Sequence, residues 1–277
     1  MTLAWRWLEH PAFSVLESKV RARLALLGRF PKPSELRGLA AGISSALEPW
    51  FDFAPEDGAR LEAAGGFDAL IAESALIPTR PELHHDLLGA LIWLHFPALK
   101  TAIHRAQMAG SPGPGGPRGP RENAATHFDE SGVLVVSSDS SVFEALADLR
   151  WFEVFWQRRA ALVRTTRFIA FGHGLMDSLR EPHPRLMGKA LFVHVAAADL
   201  ELSASQLRVF LDQRVAERLS RFLVEPARLH PLPVLGVPGW SPEQCEAFYG
   251  NERYFRVARA RPRAARDVAW LELAHGL

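Results

Sequence analysis

The chain has 277 residues, 48% of them hydrophobic, with 32 basic against 31 acidic side chains. That length admits one large domain or two modest ones, and that composition excludes wholesale disorder. Balanced charge removes a global footprint for nucleic acid, and a single cysteine, Cys245, removes an intrachain disulfide and any multi-cysteine metal site.

The first ten residues mix charge into apolar positions and hold no signal-peptide core. The longest apolar stretch, 87–96, is too short to span a bilayer and contains His95. The chain therefore reads as soluble and cytoplasmic, a single domain over 1–277.

Helix signals dominate. Ser14 to Glu17 has the form of a capping box, followed by the stripe Leu16, Val20, Leu24 and Leu27, with Gly28 as a left-handed stop. A second stripe, Leu36, Leu39, Ala40, Ile43 and Leu47, closes at Pro49. Thr79 to Glu82 has the form of another capping box before Leu83, Leu87 and Leu91. Pro97 should then kink or end that helix, with helix resuming through Leu99 and Ile103.

The segment 110–121 is the clearest break, since nine of its twelve residues are Gly or Pro. It reads as a flexible surface loop. After it, Val133 to Val136 reads as a short buried strand. Ser141 to Glu144 opens a helix with the stripe Ala145, Leu149, Phe152, Trp156 and Ala160, and 190–195 reads as a second strand. Ser203 to Gln206 caps a long helix carrying Leu207, Leu211, Val215 and Leu219. His230 to Trp240 is a Pro/Gly-rich meander, Ser241 to Gln244 starts a short helix stopped by Gly250, and an Arg-rich extension follows over 257–277. The expected architecture is α+β, mainly helical, with a small β-sheet.

Four segments in this order resemble the bacterial domain of unknown function 3025 family. They are Arg121-Glu122-Asn123-Ala124-Ala125-Thr126-His127-Phe128-Asp129-Glu130-Ser131-Gly132-Val133, the aromatic block 151–156, Phe171-Gly172-His173-Gly174-Leu175, and 231–240 with Phe248-Tyr249 and Phe255-Arg256. The likeness spans roughly residues 10 to 256 and implies no particular activity. Asn123 stands where the family pattern has Asp, and Asp177 where it has Glu.

Several polar residues stand in apolar surroundings. His173 lies between two glycines, which mark a close approach of another backbone or of a ligand. On a helix, Asp177 would share its face one turn later, a pair suited to acid–base work or a shared metal. The alternative is a tightly packed helix with a hydrogen-bonded core histidine. In His127-Phe128-Asp129-Glu130, read as extended, His127 and Asp129 face one side and Phe128 and Glu130 the other. The two carboxylates can bind a metal, act as a base or pair with Arg121 and His173, or can face water in a turn. His84, His85 and Asp86 open a helix, and His84 and His95 are about 16 Å apart along it, too far to share an ion.

Trp240 can wall a pocket or close the core. Cys245 reads as a plain, semi-buried thiol, and Gly188-Lys189-Ala190 lacks the features of a phosphate loop. Residues 253–266 hold six arginines and no acid, a patch that can meet nucleic acid or pair within its own domain. Two functions follow. One is an enzyme acting on a small polar or anionic substrate, with His173, Asp129, Glu130 and Asp177 as catalytic residues and Arg121, His127 and Trp240 binding substrate. There the carboxylates orient His173 or hold a divalent metal of unspecified identity. The other is a binding or adaptor protein in which the same polar residues are structural.

Overall fold

A computed structural model describes residues 3–43, 49–109, 118–256 and 268–274. The protein is α+β and mainly helical. Helix α1 (Ser18–Leu27) begins three residues later than the Ser14 signal suggests, because Ser14 lies in a 3-10 turn over Pro11–Val15. Glu17 is drawn away from capping by Arg208 at 2.7 Å and Lys19 at 3.1 Å. Gly28 closes α1 in the left-handed region, φ +66°, a conformation a Cβ disfavours. Helix α2 (Pro33–Leu39) buries Leu36 and Leu39 and stops short of Ile43, while Leu47 lies outside the described residues.

Strands β1 (Asp52–Pro55) and β2 (Leu76–Thr79) pair in parallel around α3 (Gly58–Ala64) and α4 (Phe67–Ser74). The capping box expected at Thr79 does not form. Thr79 ends β2, Glu82 takes a left-handed φ of +60°, and α5 (His84–His95) starts beyond it. Asp86 secures this entry instead, accepting from the Arg80 backbone at 2.8 Å and from its guanidinium at 2.7 and 3.0 Å.

At Pro97 the chain bends by 113° into α6 (Pro97–Met108). Helix α11 (Ala204–Phe222) holds both ends of this elbow from two positions one turn apart. Arg208 donates to the carbonyl of His95, and Asp212 accepts from the backbone of Ala98 at 3.2 Å and Leu99 at 2.8 Å. These bonds satisfy groups that helix ends leave unpaired. No single helix among the described residues is long and apolar enough to cross a membrane.

Helix α7 (Pro120–Ser131) replaces the extended segment expected around His127. Pro120 suits the first turn, where its missing N–H is no loss, so Arg121 is helical; residues 110–117 lie outside the described set. The chain then turns directly into β3 (Gly132–Ser137), which is buried throughout. Helix α8 (Ser141–Ala147) is capped by Asp139, whose carboxylate accepts from the Ser141 amide at 3.0 Å and hydroxyl at 2.6 Å. The stripe expected to run on to Ala160 is broken at Leu149, φ +60°, where the Arg150 amide reaches back to the Ala145 carbonyl. A π turn over Glu153–Gln157 then leads into α9 (Arg159–Thr165).

Strand β4 (Thr166–Ala170), helix α10 (His173–Ser178), β5 (Met187–His194), β6 (His230–Pro233), α12 (Glu246–Tyr249) and β7 (Leu271–Glu272) complete the described chain. The main sheet has the order β4-β3-β5-β6, with β7 added beside β5. Strands β3 and β5 are parallel, whereas β4 and β6 run antiparallel to their neighbours. The capping box expected at Ser203 is present, with Ser203 and Gln206 bonding each other's backbone. Helix α12 starts at Glu246 rather than Ser241, and Cys245, which precedes it, is exposed rather than semi-buried. The Arg-rich segment lies within the described residues only as far as Arg256.

Candidate metal centre

Three elements far apart in sequence meet at one cleft. His85 comes from the first turn of α5, Glu130 from the last turn of α7, and His173 from the first position of α10. One ligand atom from each lies within 4.8 Å of the other two. The Nε2 of His173 is 3.6 Å from Oε1 of Glu130, and the rings of His85 and His173 are 4.5 Å apart between centroids. Two ligands on a tetrahedral ion with bonds of about 2.1 Å lie about 3.4 Å apart. The cluster is therefore near the spacing that a divalent ion requires, with a coordination position left for water or substrate.

The imidazole of His173 is aimed by the backbone. Its Nδ1–H donates to the carbonyl of Asp129 at 2.9 Å, which leaves the Nε2 lone pair directed at Glu130. Such an outer hydrogen bond fixes the tautomer of a ligating histidine. Burial pushes the His173 pKa down; Lys100 and His85 add to this, while Asp129 and Glu130 oppose it. A neutral ring is the form that binds metal.

Behind the histidine lies an ion pair. The ammonium of Lys100, 4% exposed, donates to the Asp129 carboxylate and sits 5.0 Å from the centre of the Trp93 ring. Burial alone would raise the Asp129 pKa. The charges of Lys100 and His173 and hydrogen bonds from Lys100 and Gln107 outweigh burial and hold it below its ordinary value. Asp129, expected from the sequence as a catalytic carboxylate, has its carbonyl on His173 and its carboxylate engaged by Lys100.

Two glycines give the centre its closeness. A Cβ on Gly174 would lie 2.5 Å from Oε2 of Glu130, and one on Gly172 would lie 2.3 Å from the backbone nitrogen of Gly132. Glu130 is a flexible side chain, 46% exposed, and can move away from a methyl group. Gly174→Ala should therefore fold with stability within about 1 kcal/mol of wild type, the helical preference of alanine set against a 3.1 Å approach of the new Cβ to the Glu130 carbonyl oxygen. Its affinity for a divalent ion, read by titration with Co(II), should fall at least about tenfold, because loss of one good ligand contact is worth 1.4 kcal/mol or more. Unaltered affinity would remove Glu130 from the ligand set.

The other residues singled out in the sequence lie elsewhere. Asp177 pairs with Arg180 at 2.6 Å and does not line the cleft. Arg121 and His127 are exposed on α7, outside the cleft lining. Trp240 is buried, and its carbonyl contacts His10 at 3.1 Å. Helix α7, rather than an extended segment, sets the directions of Arg121 and His127, and Asp177 on α10 is taken by Arg180 three residues on. Conversely, the cleft is lined by His85, which the sequence offers only as part of a helix start, and by Lys100, which sequence reasoning does not single out. Lys100 had a signal: with His104 it interrupts the buried face formed by Leu99, Ile103 and Ala106.

The cleft holds about 330 Å³ and is lined by Glu56, Arg80, Asp86, Lys100 and Asp129 besides the three candidate ligands. That volume is at the lower end of the roughly 300–1,000 Å³ of small-molecule sites. Fold and site together define an α+β protein with a His/His/carboxylate cluster in a cleft. The chain belongs to the family described as "Protein of unknown function (DUF3025)", whose model matches residues 51–259. The first fifty residues, including α1 and α2, precede the matched region. No curated protein matches the chain. No solved structure matches it either.

Proposed function

We propose that the protein is a metal-dependent enzyme in which His85, His173 and Glu130 hold one divalent transition-metal ion and a small molecule reacts in the adjoining cleft. The observation that carries this reading is the convergence of three ligand atoms within 4.8 Å from three separate helices, one histidine already aimed by a backbone carbonyl. Three protein ligands are the pattern of catalytic rather than structural zinc, and two histidines with one carboxylate also suit non-haem Fe(II). Such an ion polarises a bound oxygen or lowers the pKa of bound water. The single cysteine and the histidine/carboxylate donors suit a reducing, cytoplasmic setting.

The test is metal content by mass spectrometry, with Co(II) or Zn(II) titration of metal-stripped protein. Wild type should bind one equivalent. His85→Ala and His173→Ala should each lose binding by at least about a hundredfold while remaining folded by circular dichroism, the scale expected for removing a metal ligand or its support. Folded wild-type protein that takes up no ion would remove the proposal and favour the adaptor reading, in which this cluster is structural.

A further inference from the structure

We infer that the substrate of this centre is a small uncharged molecule with an apolar or aromatic part, an inference that rests on the metal reading above. The argument is one of charge. Among the described residues lining the cleft, each lysine and arginine already has a carboxylate. Lys100 is taken by Asp129, Arg80 by Asp86 at 2.7 Å with Glu56 at 3.8 Å, and Arg118 by Glu122 at 3.4 Å.

The carboxylates outnumber the cations. With Arg118 held by Glu122, Glu56, Asp68, Asp86, Asp129 and Glu130 face Arg80 and Lys100, an excess of three negative charges. A divalent ion at His85, His173 and Glu130 offsets two of those charges. An anionic substrate would then bring charge into a cleft that is still net negative, toward Asp68 and Glu56, with every lysine and arginine of the described lining already paired. Transferring a charge out of water without a partner is costly. An uncharged substrate avoids that penalty and needs only the open metal position and a surface to lie on.

The surface is present. Phe67 is 44% exposed although it is a large apolar side chain, while Ile77, Pro78, Ala90 and Trp93 are otherwise buried and show only their edges to the lining. Exposed apolar surface beside convergent polar groups is what a ligand with an apolar body covers. Trp93 also stacks under Lys100, so the apolar lining and the ion pair behind His173 are joined by one ring.

The experiment uses the full chain loaded with Co(II), whose visible bands report the open coordination position. Three probes are compared at pH 7.5: 4-phenylimidazole, which is neutral and aromatic, imidazole, which is neutral without the ring, and phenylphosphonate, which is aromatic and anionic. 4-Phenylimidazole should shift the bands at least about tenfold more tightly than imidazole, from burial of the phenyl surface, and more tightly than phenylphosphonate. Phe67→Ala, at a half-exposed position outside the ligand set, should remove most of the advantage over imidazole and leave imidazole itself unchanged. Phenylphosphonate binding more tightly than 4-phenylimidazole to the loaded protein would overturn this inference and leave the metal reading standing. Equal binding of the two imidazoles would overturn the apolar part of it. Failure to bind Co(II) at all would overturn the metal reading and this inference together.

Discussion

Gly172→Ala is expected to lower stability by about 3 kcal/mol and to dismantle the metal centre, because overpacking against immovable atoms lies at the upper end of such costs. The position does not demand glycine for its dihedral angles, since φ is −62°. The demand is for space. An added Cβ would sit 2.3 Å from the nitrogen of Gly132, 2.5 Å from that of Ser131 and 2.6 Å from the Ser131 carbonyl carbon, all of them backbone. At this corner the amides of Phe171 and Gly172 both donate to the Gly132 carbonyl, at 3.0 and 2.9 Å. The corner joins the end of α7, with Asp129 and Glu130, to the start of α10, with His173. Separating the two backbones by even an ångström would loosen the His173–Asp129 bond and the spacing to Glu130. Thermal melts and Co(II) titration of Gly172→Ala beside Gly174→Ala should divide the two effects. The first should lose stability and metal together, and the second metal alone. A Gly172→Ala protein with wild-type melting temperature and metal affinity would contradict the geometry of this corner.

The second large effect is a pair of opposed titrations at the α5–α6 elbow. His95 is fully buried, with Nδ1 donating to the Leu91 carbonyl at 2.7 Å and Nε2 accepting from the Glu17 amide at 3.0 Å. Burial holds its pKa down at about 4, against 6.5 in an unfolded chain. Between pH 6.5 and 4 the unfolded state binds the extra proton, so this group removes stability as pH falls, by up to about 3 kcal/mol. Asp212 behaves in the opposite sense. Burial pushes its pKa up to about 6 from 3.8, against the pull of the two amides that it caps. Between pH 6 and 4 the folded state takes up the proton first, so stability rises as pH falls, again by up to about 3 kcal/mol.

The two contributions offset each other in the wild type, and single substitutions should expose them. His95→Gln keeps one donor and one acceptor but cannot titrate, so Asp212 acts alone and the variant should resist acid better than wild type. Asp212→Asn leaves His95 alone and should be more acid-labile. Urea unfolding at pH 7 and pH 4.5 should therefore rank acid sensitivity as Asp212→Asn, wild type, His95→Gln. Parallel stability changes in all three proteins would show that neither group titrates as its burial implies.

Signals in the sequence match the structure where the physics is local. The left-handed stop at Gly28, the break at Pro97, the box at Ser203 and the apolar run at β3 all follow from a few neighbouring residues. Signals failed where a distant partner intervened. Glu17 has the spacing of a capping residue, yet its carboxylate goes to Arg208, a contact across 191 positions of chain. His127 to Glu130 sits before a strand and reads as extended, but Pro120 starts a helix that runs to Ser131.

The site divides along the same line. Glycines flanking a histidine announced a close approach at 172–174, and carboxylates at 129 and 130 announced a polar cluster beside a buried strand. Those features belong to the sequence itself, because the absence of a Cβ and the presence of a charge need no fold to be noticed. What only the tertiary structure decided is the choice of partners. On one helix the sequence sets His84 against His95, where 1.5 Å of rise per residue keeps them apart, and it offers no partner for the neighbouring His85. Its partner is His173, brought across by the packing of α10 on α5. The Asp129 carboxylate was free to face water, His173 or an ion until α6 delivered Lys100 and Gln107 to it. Chain spacing constrains which groups can meet within one helix. Between helices, burial of their apolar faces sets the contact, and the polar side chains beside those faces take the partners that packing brings within reach.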